Sequence, residues 1–262
     1  MKNNQKKMLS IVLVGALFAI AIALSGCVEE DVNKIIVGTS ADFPPFEYTD
    51  TDGTIIGFDI EMVTMILESL NYTVEVQDIA FDGLIGSLQT GRIDVIAAAM
   101  SIDEEREEEV DFTIPYFEAD LSVLIKTGSN IILNDTNYLE ELANLTIGAQ
   151  TGTTGAGWVW DTLITITNAT MQEDQLKRYE TYTLAVLDLS NGNVDAVIID
   201  KPVGEAFAEE EDMEVAYTIE SDEQYGLAVK EGNSELLEKL NQGLEDLIGT
   251  EEWNALVKKY FE

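Results

Sequence analysis

Two stretches of this chain share one pattern without a gap. LQTGRIDVIAAA spans residues 88–99 and LSNGNVDAVIID spans residues 189–200. Each runs leucine, two residues, glycine, one residue, isoleucine or valine, aspartate, and then an apolar strand. The glycine reads as a helix C-cap, and the apolar run reads as a strand of a buried parallel sheet. A helix capped by glycine therefore feeds a buried strand twice, about a hundred residues apart. That implies two similar α/β lobes. Ligands of open α/β sheets sit beyond the carboxyl ends of the strands, which here are Ala99 and Asp200. A cleft between the lobes would collect Ser40, the turn from Ala99 through Met100 to Ser101, the loop at 150–155, and Asp200.

The intervening pattern has the same character. Strands are expected at 35–40, 72–79, 93–99 and 119–126, with a short helix at 82–91. The segment 58–70 sets Ile60, Val63, Ile66, Leu67 and Leu70 on one helical face. The theme then restarts. YLEELANLTIGAQ supplies a helix and a strand, and a helix follows at 154–164. QLKRYE is strand-like, TLAVLDLSNG helical, and 194–200 an apolar strand. A helix from about Pro202, late strands in MEVAYTI and QYGLAV, and two helices over 235–261 complete the chain. The fold class is α/β with mainly parallel sheets.

The first residues say where the chain works. MKNNQKK is basic, residues 8–24 carry no charge, and SGC ends at Cys27. This is the form of a secretory signal, and LSGC resembles a lipoprotein signal that leaves Cys27 first and lipidated. A plain N-terminal membrane anchor is the alternative, although the run is short for a full span. Residues 28–34 read as a polar tether, and Asn71, Asn134, Asn144 and Asn168 open glycosylation sequons. The chain holds 50 acidic and 14 basic residues, so it should repel nucleic acid. It has no histidine and one cysteine, which removes most nucleophile–base pairs, histidine metal sites and any internal disulfide. No metal and no cofactor is expected. TDTDG at 49–53 lacks the spacing of a calcium loop and reads as a β-turn.

GAQTGTTGAGWVW, residues 148–160, reads as a strand end, a loop and a helix start. The amides of Thr153 and Thr154 at such a start suit an anion, but the loop lacks the lysine of a nucleotide-binding loop. Arg106, in DEEREEEVDF, is either a surface ion-pair partner or a cleft residue that shares a carboxylate with those amides. Asp200 either caps the helix near Pro202 or faces an ammonium group. Phe43 and Phe81 are either core or a clamp on a ligand side chain.

SADFPPFEY, GFDIEM, FDGLIGSLQTG, IDVIAAAMSIDEER, VDFTIPYF, GAQTGTTG, DAVIID and EQYGLAV occur in that order. Together they resemble the extracytoplasmic solute-binding proteins of polar amino acid ABC transporters. The resemblance implies a two-lobed periplasmic-binding-protein fold of type II with two hinge strands near 121–127 and 218–225. It implies one lobe from 35–122 and 224–262, and another from 123–223. Arg106, Thr154 and Ser101 would then hold a ligand carboxylate, and Asp200 with the Ala99 carbonyl would hold its ammonium. Phe43 and Phe81 would flank the side chain, with Ser40, Glu47, Glu118 and Gln150 setting selectivity. Nearby acids, and the lack of a basic residue at Gln150, favour arginine over glutamine. The expected partners are an amino acid, a membrane permease and the membrane itself through the lipid. The protein is expected to be a monomer on the outer face of the cytoplasmic membrane, and not an enzyme. A secreted dehydratase on the same scaffold, using Glu47 or Asp200, and a receptor-associated sensor are the alternatives.

Overall fold

The structure is a computed structural model that describes residues 33–165, 171–210 and 212–262. The signal segment with Cys27, the tether up to residue 32, and Asn168 lie outside the described residues. Lys34, expected in the tether, instead opens strand β1 (Lys34–Thr39) opposite Thr73 and pairs with Glu75. No helix among the described residues is long and apolar enough to cross a membrane.

After β1 come β2 (Asp42–Phe43), β3 (Glu47–Thr49), β4 (Ile55–Ile56), β5 (Thr73–Asp78), β6 (Val95–Ile96), β7 (Val110–Phe112) and β8 (Phe117–Lys126). Then follow β9 (Ile147–Gln150), β10 (Leu176–Tyr179), β11 (Ala196–Asp200), β12 (Met213–Tyr225) and β13 (Ala228–Lys230). They build two five-stranded sheets, β5-β1-β6-β13-β7 and β10-β9-β11-β8-β12, plus the small meander β2-β3-β4. Each lobe has one five-stranded sheet flanked by helices.

The sheets are mixed rather than mainly parallel. In each, the first two pairings are parallel and the last two antiparallel. Parallel neighbours need a crossover connection, and the helices Phe58–Ser69 and Leu84–Gln89 supply it around β1. β8 and β13 enter their sheets straight from the other lobe, and both run antiparallel.

The sequence repeat falls on equivalent places in the two sheets, at β6 and β11. Its aspartates do one job twice. The amide of Ile36 donates to Asp94 Oδ2 at 2.8 Å, and the amide of Asp94 returns a bond to the Ile36 carbonyl at 2.8 Å. Thr146 and Asp195 exchange the same two bonds, both at 2.8 Å. The glycines match as well: Gly91 and Gly192 have φ of 73° and 74°, the left-handed cap that glycine takes without a Cβ clash. Strand 93–99 is shorter than expected, since only Val95 and Ile96 join the ladder. Beyond them Ala99 turns out at φ 42°, and its amide is taken by Asp59 Oδ2 at 2.8 Å.

The connection between lobes also sits earlier than expected along β8. Leu121 already pairs with Asp200 of β11, so residues 121–124 belong to the second sheet. Residues 117–119 pair only with Tyr225, Gln224 and Glu223 of β12, and this two-stranded ribbon is the crossing. The register slips between Ile219 and Glu223, where Asp222 has φ 50°. An aromatic cluster of Phe46, Phe58, Phe117, Tyr225 and Phe261 packs beside the crossing and ties the last helix, Glu251–Phe261, to the first lobe.

Candidate functional site

The carboxyl ends of the central strands converge on one narrow space of about 10 Å³. The first lobe contributes Ser40 after β1, Phe43 and Glu47 from the meander, Phe81, Ala98, Ala99, Ser101 and Arg106. The second contributes Gln150 at the end of β9, Thr153, Thr154, and Asp200 at the end of β11. This is the placement that strand polarity predicts for an open α/β sheet. The space is about the room one water needs, so a larger ligand enters only when the lobes part.

Thr153 caps the helix Thr154–Trp158, its hydroxyl accepting from the Ala156 amide at 3.3 Å. Arg106 comes from the short helix Glu104–Glu107, capped by Asp103. It is 8% exposed, so it is no surface ion-pair partner. Its Nη1 donates to the Ser101 carbonyl at 2.6 Å and its Nη2 to the Gly152 carbonyl of the other lobe at 3.0 Å. Nε lies 3.2 Å from Asp103, and the guanidinium sits 5.4 Å from the centre of the Phe81 ring. Burial lowers its pKa.

The lobes touch at further points around the space. The Tyr182 amide donates to Asp42 at 2.5 Å, the Phe43 and Tyr182 rings lie 5.4 Å apart, and Gln150 Nε2 reaches Ser40 Oγ at 3.5 Å. Phe43 therefore touches the other lobe as well as the cavity.

Acids dominate the electrostatics. Asp200 accepts from the Tyr225 hydroxyl; burial raises its pKa, and neighbouring Glu223 pushes the same way. Burial also raises Asp42 and Glu223. Glu47 is wholly buried, and both its carboxylate oxygens lack a hydrogen-bond partner among the described residues. Its pKa is raised well above the ordinary range by burial, then by Asp59, Asp42 and Asp200. Among the described residues, Arg106 is the one cation lining the cavity.

Two expected site residues lie elsewhere. Met100 packs with Leu84, Leu88, Ile93 and Ile96 in the first lobe and does not line the cavity. Glu118 is exposed and accepts from Gln224 Nε2 at 3.2 Å. Alternation explains it: Phe117 turns into the aromatic cluster, so its neighbour points out. Sequence reasoning missed Ala98, Asp42, Asp59, Tyr182, Tyr225 and Glu223. Glu223 joins the site by accepting from Ser101 Oγ at 2.6 Å and Thr154 Oγ1 at 3.0 Å. Its signal was its place at the head of EQYGLAV, where a crossing strand passes the cleft. Asp59 lies within GFDIEM, and only the fold shows that it holds the Ala99 amide.

Two mixed-sheet α/β lobes, joined by a two-stranded crossing and closed on a polar cavity, define the type II periplasmic-binding-protein class. A sequence profile of the bacterial extracellular solute-binding proteins, family 3, matches residues 35–262, and the chain belongs to that family. The ABC transporter arginine-binding protein 1 of Escherichia coli K12 is 33% identical over 220 residues, covering 80% of this chain and 84% of that protein. An ancestral arginine-binding protein bound to arginine has a TM-score of 0.80 at 36% identity, over 88% of this chain and 99% of that one. The ancestral amino acid-binding protein AncCDT-1, a precursor of cyclohexadienyl dehydratase, has a TM-score of 0.79 at 28% identity, over 88% and 96%.

Proposed function

We propose that this protein is the substrate-binding component of an ABC importer and that its ligand is arginine. The observation that carries the ligand is Glu47, a fully buried carboxylate with no partner among the described residues, in a cavity it shares with Asp200, while Asp42 and Asp59 act on it from nearby. A buried charge needs a counter-charge, and a guanidinium supplies one with two parallel donors. The ligand's α-carboxylate goes to Arg106 with the hydroxyls of Ser101 and Thr154, beside the Thr153–Thr154 amides. Its ammonium goes to Asp200 and the Ala99 carbonyl. Phe43 and Phe81 flank the chain, while Ser40 and Gln150 line the wall between the poles. The ligand docks on one lobe, the other closes about residues 117–120 and 222–225, and the closed form is delivered to a permease. In this reading Cys27 carries a lipid and holds a monomer at the outer face of the cytoplasmic membrane.

The likeness to AncCDT-1 raises a dehydratase as the second reading. The electrostatics favour binding instead: an acidic substrate would meet Glu47 and Asp200, with Asp42 and Glu223 acting on them from behind, and only Arg106 to offset them. No turnover of prephenate is expected. The test is a thermal-shift series over the common amino acids, followed by calorimetry. Arginine is expected to raise the unfolding midpoint most, by the mass-action increment of a ligand that binds only the folded state. A larger shift with glutamine, or none with any amino acid, would overturn the assignment.

A further inference from the structure

Glu223 stands at the point where β12 leaves the second sheet, opposite Ala119 of the crossing ribbon. One of its oxygens, Oε2, accepts from Ser101 Oγ of the first lobe at 2.6 Å and from Thr154 Oγ1 of the second at 3.0 Å. A hydroxyl has one proton to give. In this structure both protons are committed to Glu223. These are the same two hydroxyls that the arginine reading assigns to the ligand's α-carboxylate. Arg106 is itself partly engaged: two of its five N–H groups go to the Ser101 and Gly152 carbonyls, and Nε lies 3.2 Å from Asp103.

We propose that Glu223 is an internal stand-in for the ligand's carboxylate, competing with it for the hydroxyl protons of Ser101 and Thr154 and so setting the affinity of the cleft. The proposal rests on the arginine reading of this site. Glu223 is fixed to the crossing ribbon and bridges one hydroxyl from each lobe, so it also links the lobes in the way the bound carboxylate would. An incoming ligand must take over both protons before its own carboxylate is fully held. Arginine bears the cost of that exchange, and a ligand without a carboxylate does not.

The experiment compares arginine with agmatine, which is arginine lacking the carboxylate, by calorimetry on the full chain. Removing the Glu223 charge weakens the hold on the ammonium and guanidinium of both ligands alike, so that effect cancels in the ratio of affinities. The expected result for Glu223→Gln is a preference for arginine over agmatine at least about fivefold greater than in the wild type, a fraction of one charge-assisted bond. Glu223→Asp keeps the charge but shortens the reach to the two hydroxyls, and it is expected to move the ratio in the same direction. An unchanged or reduced ratio in both variants, with the wild type binding arginine, would overturn the role of Glu223 alone. A wild type that binds neither ligand would overturn the arginine reading and this proposal with it.

Discussion

Glu47 carries an electrostatic conflict that no partner among the described residues relieves. It is 0% exposed, neither oxygen is paired among the described residues, and Asp59, Asp42 and Asp200 all push against its charge. Unliganded, it is held towards its protonated form. A bound guanidinium reverses that balance by supplying both charge and donors. Glu47→Gln keeps the shape and removes the charge, so arginine affinity should fall by about 10- to 100-fold, the worth of one charge-assisted pair. The ligand-free protein should become more stable at neutral pH, because a neutral amide replaces a crowded acid. Calorimetry and thermal melts read the two effects, and an unchanged arginine affinity would remove Glu47 from the site. At this scale the sequence was informative wherever a residue stood at the carboxyl end of a strand. Ser40, Ala99, Gln150 and Asp200 were legible for that reason. Glu223 and Asp59 were not, because they act through partners remote in sequence: Glu223 is 122 residues from Ser101, and Asp59 is 40 from Ala99. Met100 and Glu118 were misplaced because a turn residue and a strand residue each have two sides, and the pattern alone does not choose between them.

Among the elements, the repeated helix–glycine–strand unit shows how much local chemistry a short motif encodes. Leu88 and Leu189 are both buried, Gly91 and Gly192 cap the helices, and Asp94 and Asp195 each lock the neighbouring strand with a reciprocal pair of bonds. Replacing Asp94 with Ala removes an acceptor of the Ile36 amide in a partly buried setting and should cost about 1–2 kcal/mol. Asp195→Ala acts at an exposed bond and should cost less. The two losses should add, since the residues lie in separate lobes. Denaturant titration gives the energies, and faster hydrogen exchange at Ile36 or Thr146 locates them; an Asp94→Ala protein with wild-type stability would refute the equivalence. The regular elements were legible because apolar periodicity fixes them. The crossing ribbon was not. β8 and β12 lie about a hundred residues apart, and whether a given β8 residue also pairs with β11 depends on register, which no local pattern states.

For the whole molecule, the buried acids make pH a coupled variable of stability and binding. Asp59 is wholly buried, and burial raises its pKa from an ordinary 3.8 to about 7, against the lowering effect of bonds from Tyr116 and the Ala99 amide. Glu47, Asp42, Asp200 and Glu223 move in the same direction, with Arg106 the opposing charge for the last two. A carboxyl group with a raised folded pKa binds its proton more tightly folded than unfolded. Its stabilisation is complete below the unfolded value and is lost as pH rises through the folded one. The ligand-free protein should therefore lose stability between about pH 4 and pH 7, each tenfold gain in proton affinity on folding being worth about 1.4 kcal/mol. Arginine works the other way. Its cationic ends need ionised partners, so binding should expel protons and strengthen as pH rises. The unfolding midpoint without ligand should be higher at pH 5.5 than at pH 7.5, while the increment that arginine adds should be smaller at pH 5.5. Asp59→Asn should flatten the first trend, because Asp59 titrates within that window. A ligand-free midpoint that climbs from pH 5.5 to 7.5 would mean that the acids are ionised and paired in the empty cleft, and that arginine is not needed to balance them.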